Sequence, residues 1–210
     1  MSISPSTKSI RKALAEALLV AARQADEQTN KSLNTLPEYF INMKIADAVF
    51  SRFPTSYKYS LEDSLTSIFD ELDIDSNSLV DLGPEFRLTG NARTDLVLRS
   101  KRGKIRHLVE FKRSIQTTQI KKDALRLAAI CLKAPAEHRV EKNFLLAVST
   151  YSPDVFMRRT DNIIGWLEEH GLDDISVQYQ PVDLSFHTSQ RPSSIGKPLY
   201  GGVWQFEYKY

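Results

Sequence analysis

Residues 93–112 read RTDLVLRSKRGKIRHLVEFK. Two runs with period-two alternation flank Lys101–Arg102–Gly103–Lys104, a basic turn containing glycine, and this pattern predicts a β-hairpin. With a two-residue loop centred on Arg102–Gly103, Lys101 opposes Lys104, Arg99 opposes Arg106, and Val97 opposes Leu108. Asp95 then opposes Glu110, and Arg93 opposes Lys112. Side chains alternate between faces, so Asp95, Glu110 and Lys112 share one face while Leu96, Leu98, Val109 and Phe111 form an apolar one. Directly opposed residues lie ~5 Å apart at Cβ, and like charges so placed repel. A slip of one residue would scatter the whole arrangement.

The pattern continues on both sides. Downstream, Ile120, Ala124, Leu127, Ala128 and Cys131 predict a helix over about 117–133, and Pro135 stops it. Phe144–Ser149 is apolar and of strand length, suited to a buried strand. A helix from Pro153 to about Glu169 follows, with Gly171 as its C′ residue. Alternating strands then come at Ile175–Tyr179 and in the aromatic tail (Tyr200, Trp204, Phe206, Tyr208, Tyr210). The stretch 187–197 resembles a linker. Upstream, 85–88 reads as a strand with a turn at 89–91. Residues 60–72 read as an acidic helix, 37–50 as a helix opened by Pro37, and 7–28 as an amphipathic packing helix. The expected class is mixed α/β, with an N-terminal helical arm (1–36), a core (37–150) and a C-terminal β-rich extension (151–210).

With 210 residues, 41% hydrophobic and 26% charged, the composition excludes a mainly disordered or collagen-like chain. No apolar run approaches the ~18 residues of a membrane span, and a cytoplasmic protein is expected. The single cysteine excludes an internal disulfide and a cysteine-based zinc site. The formal charge of +2 conceals an asymmetry. Residues 93–142 hold fourteen Lys/Arg against five Asp/Glu, whereas 62–85 hold eight acids and no base. A segregated basic segment is the pattern of a polyanion-binding face, with an ordinary solvated surface as the bland alternative.

Two opposed carboxylates with an open side suit a hard cation such as Mg²⁺, held by one or two carboxylates, waters and phosphate oxygens. An adjacent ammonium orients water and stabilises charge on phosphorus. That chemistry is metal-assisted phosphodiester hydrolysis.

Asp95, fourteen intervening residues, then Glu110-Phe111-Lys112 and a helix resembles the PD-(D/E)xK, or restriction-endonuclease-like, nuclease superfamily, whose core order is α-β-β-β-α-β. The resemblance covers roughly half of the chain, about Pro37 to Ser149, and Thr94 stands where the family's proline would. It implies Asp95 and Glu110 as metal ligands with the Phe111 carbonyl, Lys112 as the catalytic lysine, and Glu38 as the acid on the first core helix. It implies Mg²⁺ as cofactor, with Mn²⁺ as a substitute. On the helix after Lys112, the stripe Gln116, Gln119, Asp123 and Arg126 contains a glutamine, Gln119, of the kind related nucleases direct at their site. Arg93, Lys101, Arg102, Lys104, Lys121 and Lys122 are the expected phosphate contacts.

The expected function is therefore a nuclease acting on DNA rather than RNA. The alternative is a non-catalytic nucleic-acid-binding or regulatory module of the same fold, and a third reading is an adaptor that docks through the acidic 62–85 segment. A homodimer is open, with the tail aromatics as core or oligomer contact. His107 is expected to pack as a neutral core histidine.

Overall fold

The computed structural model describes residues 7–80, 82–83, 86, 92–138, 140 and 142–209. The expected turn at 89–91, three residues of the expected strand at 85–88, and Tyr210 lie outside them. Phe86, which that expectation placed in a strand, lies instead in a 3-10 turn, its N–H donating to Gly83 O (3.2 Å), and is buried in the core.

One sheet organises the chain. Its strands are β1 (Tyr57–Ser64), β2 (Arg93–Ser100), β3 (Ile105–Lys112), β4 (Lys142–Ser149), β5 (Ile175–Thr188) and β6 (Pro198–Tyr208). They lie in the order β1-β2-β3-β4-β6-β5, and every neighbouring pair is antiparallel except β3 and β4. The helices are α1 (Thr7–Thr29), α2 (Glu38–Arg52), α3 (Leu65–Leu72), the single turn α4 (Asn77–Val80), α5 (Thr117–Lys133) and α6 (Pro153–Glu169).

The strand alternation builds two cores, one on each side of the sheet. Leu96, Leu98, Val109 and Phe111 pack with Ile10, Leu14 and Leu18 of α1 and Ile41 and Ile45 of α2. Val97, Leu108, Leu145 and Ala147 pack on the opposite face with Leu65 and Ile68 of α3, Ile120 and Leu127 of α5, and Phe156 of α6. The fold is thus a mixed α/β sheet between two helical layers.

Two further expectations need correction. The segment 60–72 is not one helix. Tyr57–Ser64 is a strand paired with β2, and the helix begins at Leu65. Leu61, Leu65, Ile68 and Phe69 have helical spacing, but Tyr57, Tyr59 and Leu61 also alternate, and the open edge of β2 decides between the patterns. The C-terminal β-rich extension belongs to the same sheet, because β6 pairs with β4 along eight residues. Trp204 and Phe206 are fully buried in the second core.

Nor is 187–197 a linker. Leu33 N–H donates to His187 Nε2 (3.1 Å), Asn34 Nδ2 to Ser189 Oγ (3.0 Å) and Gln190 N–H to Ser32 Oγ (2.9 Å). These bonds staple the loop to the turn before α2. Small polar residues give such a segment a loop-like composition while supplying the groups that fasten it.

His107 is fully buried, with Nε2 3.2 Å from the Tyr57 hydroxyl and Nδ1 2.9 Å from the Lys142 carbonyl. Nδ1 therefore carries the proton and Nε2 accepts. Burial pushes its pKa down to about 4 from 6.5. The native state resists protonation that the unfolded chain accepts, so this contribution is complete above pH 6.5 and is lost as pH falls to about 4. The loss is on the order of 3 kcal/mol. Denaturant titrations at pH 7 and pH 4.5 are expected to show it, and His107→Asn is expected to flatten that part of the pH dependence. Equal pH dependence in both proteins would contradict the assignment.

Candidate functional site

The β2–β3 register brings the charged residues together. Leu96 pairs with Val109, Val97 with Leu108 and Leu98 with His107, as the hairpin reading requires. Near the turn the register shifts. Arg99 pairs with Ile105 rather than opposing Arg106, and Lys101 does not oppose Lys104. Ser100 N–H donates to Lys104 O (2.8 Å) and Gly103 N–H to Ser100 O (2.9 Å), with Gly103 at φ +90°. A three-residue loop with a bulge thus replaces the two-residue turn, and glycine supplies the left-handed conformation it needs. The bulge lies at the turn end, so the site end keeps its register.

Beyond Leu96, Asp95 turns its carboxylate onto the neighbouring strand, where Oδ2 accepts the Phe111 N–H at 2.7 Å. Glu110 is buried to 2% exposure. Its Oε1 accepts from Arg126 Nη2 at 2.7 Å, and its Oε2 lies 3.6 Å from Lys112 Nζ. Asp123 completes the group, 3.1 Å from Lys112 and 2.8 Å from Arg126. Asp95, Glu110 and Lys112 share the face covered by α5. The apolar neighbours Leu96, Val109 and Phe111 lie in the other core.

The electrostatics follow from this crowding. Burial raises Glu110 well above the usual carboxylate range; Arg126 and Lys112 oppose the rise, and Asp95 and Asp123 add to it. Burial alone would lower Lys112, but Asp123, Glu110 and Asp95 hold it above its ordinary value, so it stays an ammonium at neutral pH. Three carboxylates face two cations. One negative charge is left for a proton or a bound cation to neutralise.

Several expected residues stand elsewhere. Glu38, at the start of α2, is 3.5 Å from Arg113 and acts electrostatically on Glu62, at the rim of the cluster. Arg93 does not pair with Lys112. It pairs with Ser64 on β1, and its Nη1 donates to the Glu62 carbonyl (2.7 Å). Of the α5 stripe, Asp123 and Arg126 reach the carboxylates, whereas Gln116 and Gln119 are exposed. Lys121 is 3.4 Å from Glu169 and lies over the Trp166 ring, so α6 engages it. Lys122, Lys101, Arg102 and Lys104 are exposed, and Lys101 lies over Phe50. The hairpin tip borders a cavity of about 520 Å³ at the end of the sheet away from the carboxylates. Arg99 reaches back from the hairpin to Asp63 (3.0 Å) and Glu71 (2.6 Å), so part of the basic segment neutralises part of the acidic one.

Glu62 was not visible as a site residue. It sits in β1 between Leu61, which pairs with Leu96, and Asp63, which pairs with Thr94, and its φ is +57°. A glutamate in the left-handed region is uncommon and costs strain. Burial, then Asp95, raise its pKa. The alternation of Tyr57, Tyr59 and Leu61 was the signal that could have placed it in a strand beside Asp95.

Among the described residues, no three or more His, Cys, Asp or Glu side chains form a group that could hold a metal. A hard cation needs no such cage, since Mg²⁺ is commonly held by one or two carboxylates with waters and phosphate oxygens. Asp95 and Glu110 offer that donor set, and the excess negative charge fits it. Binding at Glu110 would compete with Arg126. No helix among the described residues is long and apolar enough to cross a membrane. No protein-family model matches the chain, and neither the curated proteins nor the solved structures contain a match.

Proposed function

We propose that the chain is a metal-dependent nuclease of restriction-endonuclease-like core, hydrolysing phosphodiester bonds in DNA rather than RNA. The observation that carries this reading is the convergence of Asp95, Glu110 and Lys112 on one face, with one carboxylate charge unbalanced. The element order from α2 through β1, β2, β3 and α5 to β4, with α3 and α4 inserted between β1 and β2, supports the core assignment. Asp95, Glu110 and the Phe111 carbonyl are the ligands for Mg²⁺ or Mn²⁺, which when bound supplies a Lewis acid and a water of lowered pKa. Lys112, held protonated, stabilises negative charge developing on the phosphate and does not act as the base. Asp123 fixes the ammonium in place. Glu38 lies at the rim. Arg93, Lys101, Arg102, Lys104, Gln119, Lys121 and Lys122 are the phosphate-facing candidates, with Lys121 needing to leave Glu169.

A second reading has one observation in its favour. Arg126 lies directly on Glu110 and already gives it a positive partner, as a non-catalytic nucleic-acid-binding module would require.

Metal binding separates the two. Ligand bound only by the native state stabilises it by about 2.7 kcal/mol at a hundred times Kd, so Mg²⁺ is expected to raise the melting temperature of the wild type. Asp95→Asn and Glu110→Gln are expected to abolish the gain while the apo proteins stay folded. Because Glu110 is raised, the gain is expected to grow with pH, as the proton that competes with metal leaves. Identical Mg²⁺ responses in all three proteins would remove the carboxylates as ligands and leave the binding module.

A further inference from the structure

Beyond the carboxyl ends of the parallel strands β3 and β4 lies a polar cleft of about 280 Å³. Arg113 and Ser114 line it just past β3, Ser149 at the end of β4, and Arg191, Ser194 and Lys197 from the loop before β6. Arg, Lys, hydroxyl and amide groups make up the lining, with tyrosine and no carboxylate among them. Crevices outside the carboxyl ends of strands are common ligand sites in α/β sheets.

The two arginines are held, not loose. Arg191 Nε donates to Asn34 O (2.6 Å) and Arg113 Nη1 to Leu36 O (3.1 Å), so one short turn anchors both guanidinium groups. The staple of 187–190 onto residues 30–34 fixes that turn, and Ser189 Oγ, 2.9 Å from Ser194 Oγ, extends it into the lining. Burial, then Arg113, push Arg191 below its ordinary pKa, while Glu38 offsets this in part. Glu38 pairs with Arg113 from outside the lining. Arg191 and Lys197 remain as cations of the cleft beyond that pair. Like charges fixed together in a hydroxyl-lined recess repel unless an anion lies between them.

We infer that this cleft binds a backbone phosphate of the nucleic acid, one that flanks the phosphate under attack at Asp95, Glu110 and Lys112. The inference rests on the nuclease reading for the identity of the strand, and it gives the loop before β6 a binding role. Arg113 follows Lys112 directly, so the cleft begins just past the end of β3 that carries Lys112. The tip of the β2–β3 hairpin lies at the other end of the same strands.

The test is binding of a fluorescent DNA oligonucleotide in chelator, where no cutting interferes, with cleavage in Mg²⁺ measured separately. Arg191→Ala and Lys197→Glu are expected to weaken binding about fivefold or more, and the salt slope is expected to flatten by about one for a lost phosphate contact. Lys197 is exposed, so Lys197→Glu decides the matter if Arg191→Ala does not fold. Unchanged affinity and slope in the folded variants would overturn the cleft while leaving wild-type cleavage, and thus the nuclease reading, intact. Inorganic phosphate that binds the cleft without displacing the oligonucleotide would also overturn it. Loss of binding in the variants with no cleavage by wild type would sustain the cleft and overturn the nuclease instead.

Discussion

Lys112→Ala is expected to cut DNA a hundredfold or more slowly than wild type while binding it with nearly the same affinity in chelator. The ammonium lies between Asp123 and Glu110 at 15% exposure, too enclosed to contribute much to general backbone attraction. Under the proposed function its work is confined to one phosphate at the site. Donors aimed at charge that develops only in the transition state are worth about 10²–10³ in rate when removed. Lys112→Arg restores the charge but not its shape or reach, and is expected to recover little. Equal losses of affinity and rate in Lys112→Ala would mean that the side chain binds the ground state.

Arg126→Ala is expected to have the largest effect on stability. Arg126 and Glu110 form a buried pair, and removing one partner of such a pair costs about 3–5 kcal/mol because the other charge is left uncompensated. For a chain of this size that corresponds to a fall of about 10 °C in melting temperature. The sign of the pH dependence identifies the cause. Glu110 is raised, so lower pH lets it take a proton and relieves the damage, whereas higher pH ionises it and deepens the loss. Adding Glu110→Gln to Arg126→Ala is expected to recover part of the stability. A pH-independent loss, unrelieved by Glu110→Gln, would make Arg126 a packing residue only.

Much of this site could be read in residues 93–112 because a strand period of two constrains both faces at once. Leu96, Leu98, Val109 and Phe111 had to be buried, and that fixed where Asp95, Glu110 and Lys112 could go. The α5 boundaries were legible for a similar reason, with an apolar stripe ended by Pro135. The choice within its polar stripe was not. Gln119 and Asp123 lie on the same side by spacing, and only the packing of α5 onto β3 leaves Gln119 in solvent and brings Asp123 and Arg126 to the carboxylates. Glu62 was hidden by a competing helical period, and no local pattern encodes its left-handed conformation between the paired residues Leu61 and Asp63. The staple between 187–190 and 30–34 joins segments over 150 residues apart through serine, histidine and asparagine, and such partners carry no mark in the chain.

Under the proposed function, Asp95 and Glu110 would hold a metal beside Lys112, and this site would cut DNA. The most direct measurement incubates the pure protein with linear duplex, circular duplex and single-stranded DNA, in Mg²⁺ and in chelator, alongside Asp95→Asn. Wild type is expected to cleave at least one of these substrates in Mg²⁺ and none in chelator, and Asp95→Asn to cleave none in either. Cleavage by Asp95→Asn at the wild-type rate, or intact DNA in every wild-type reaction with Mg²⁺, would contradict the account.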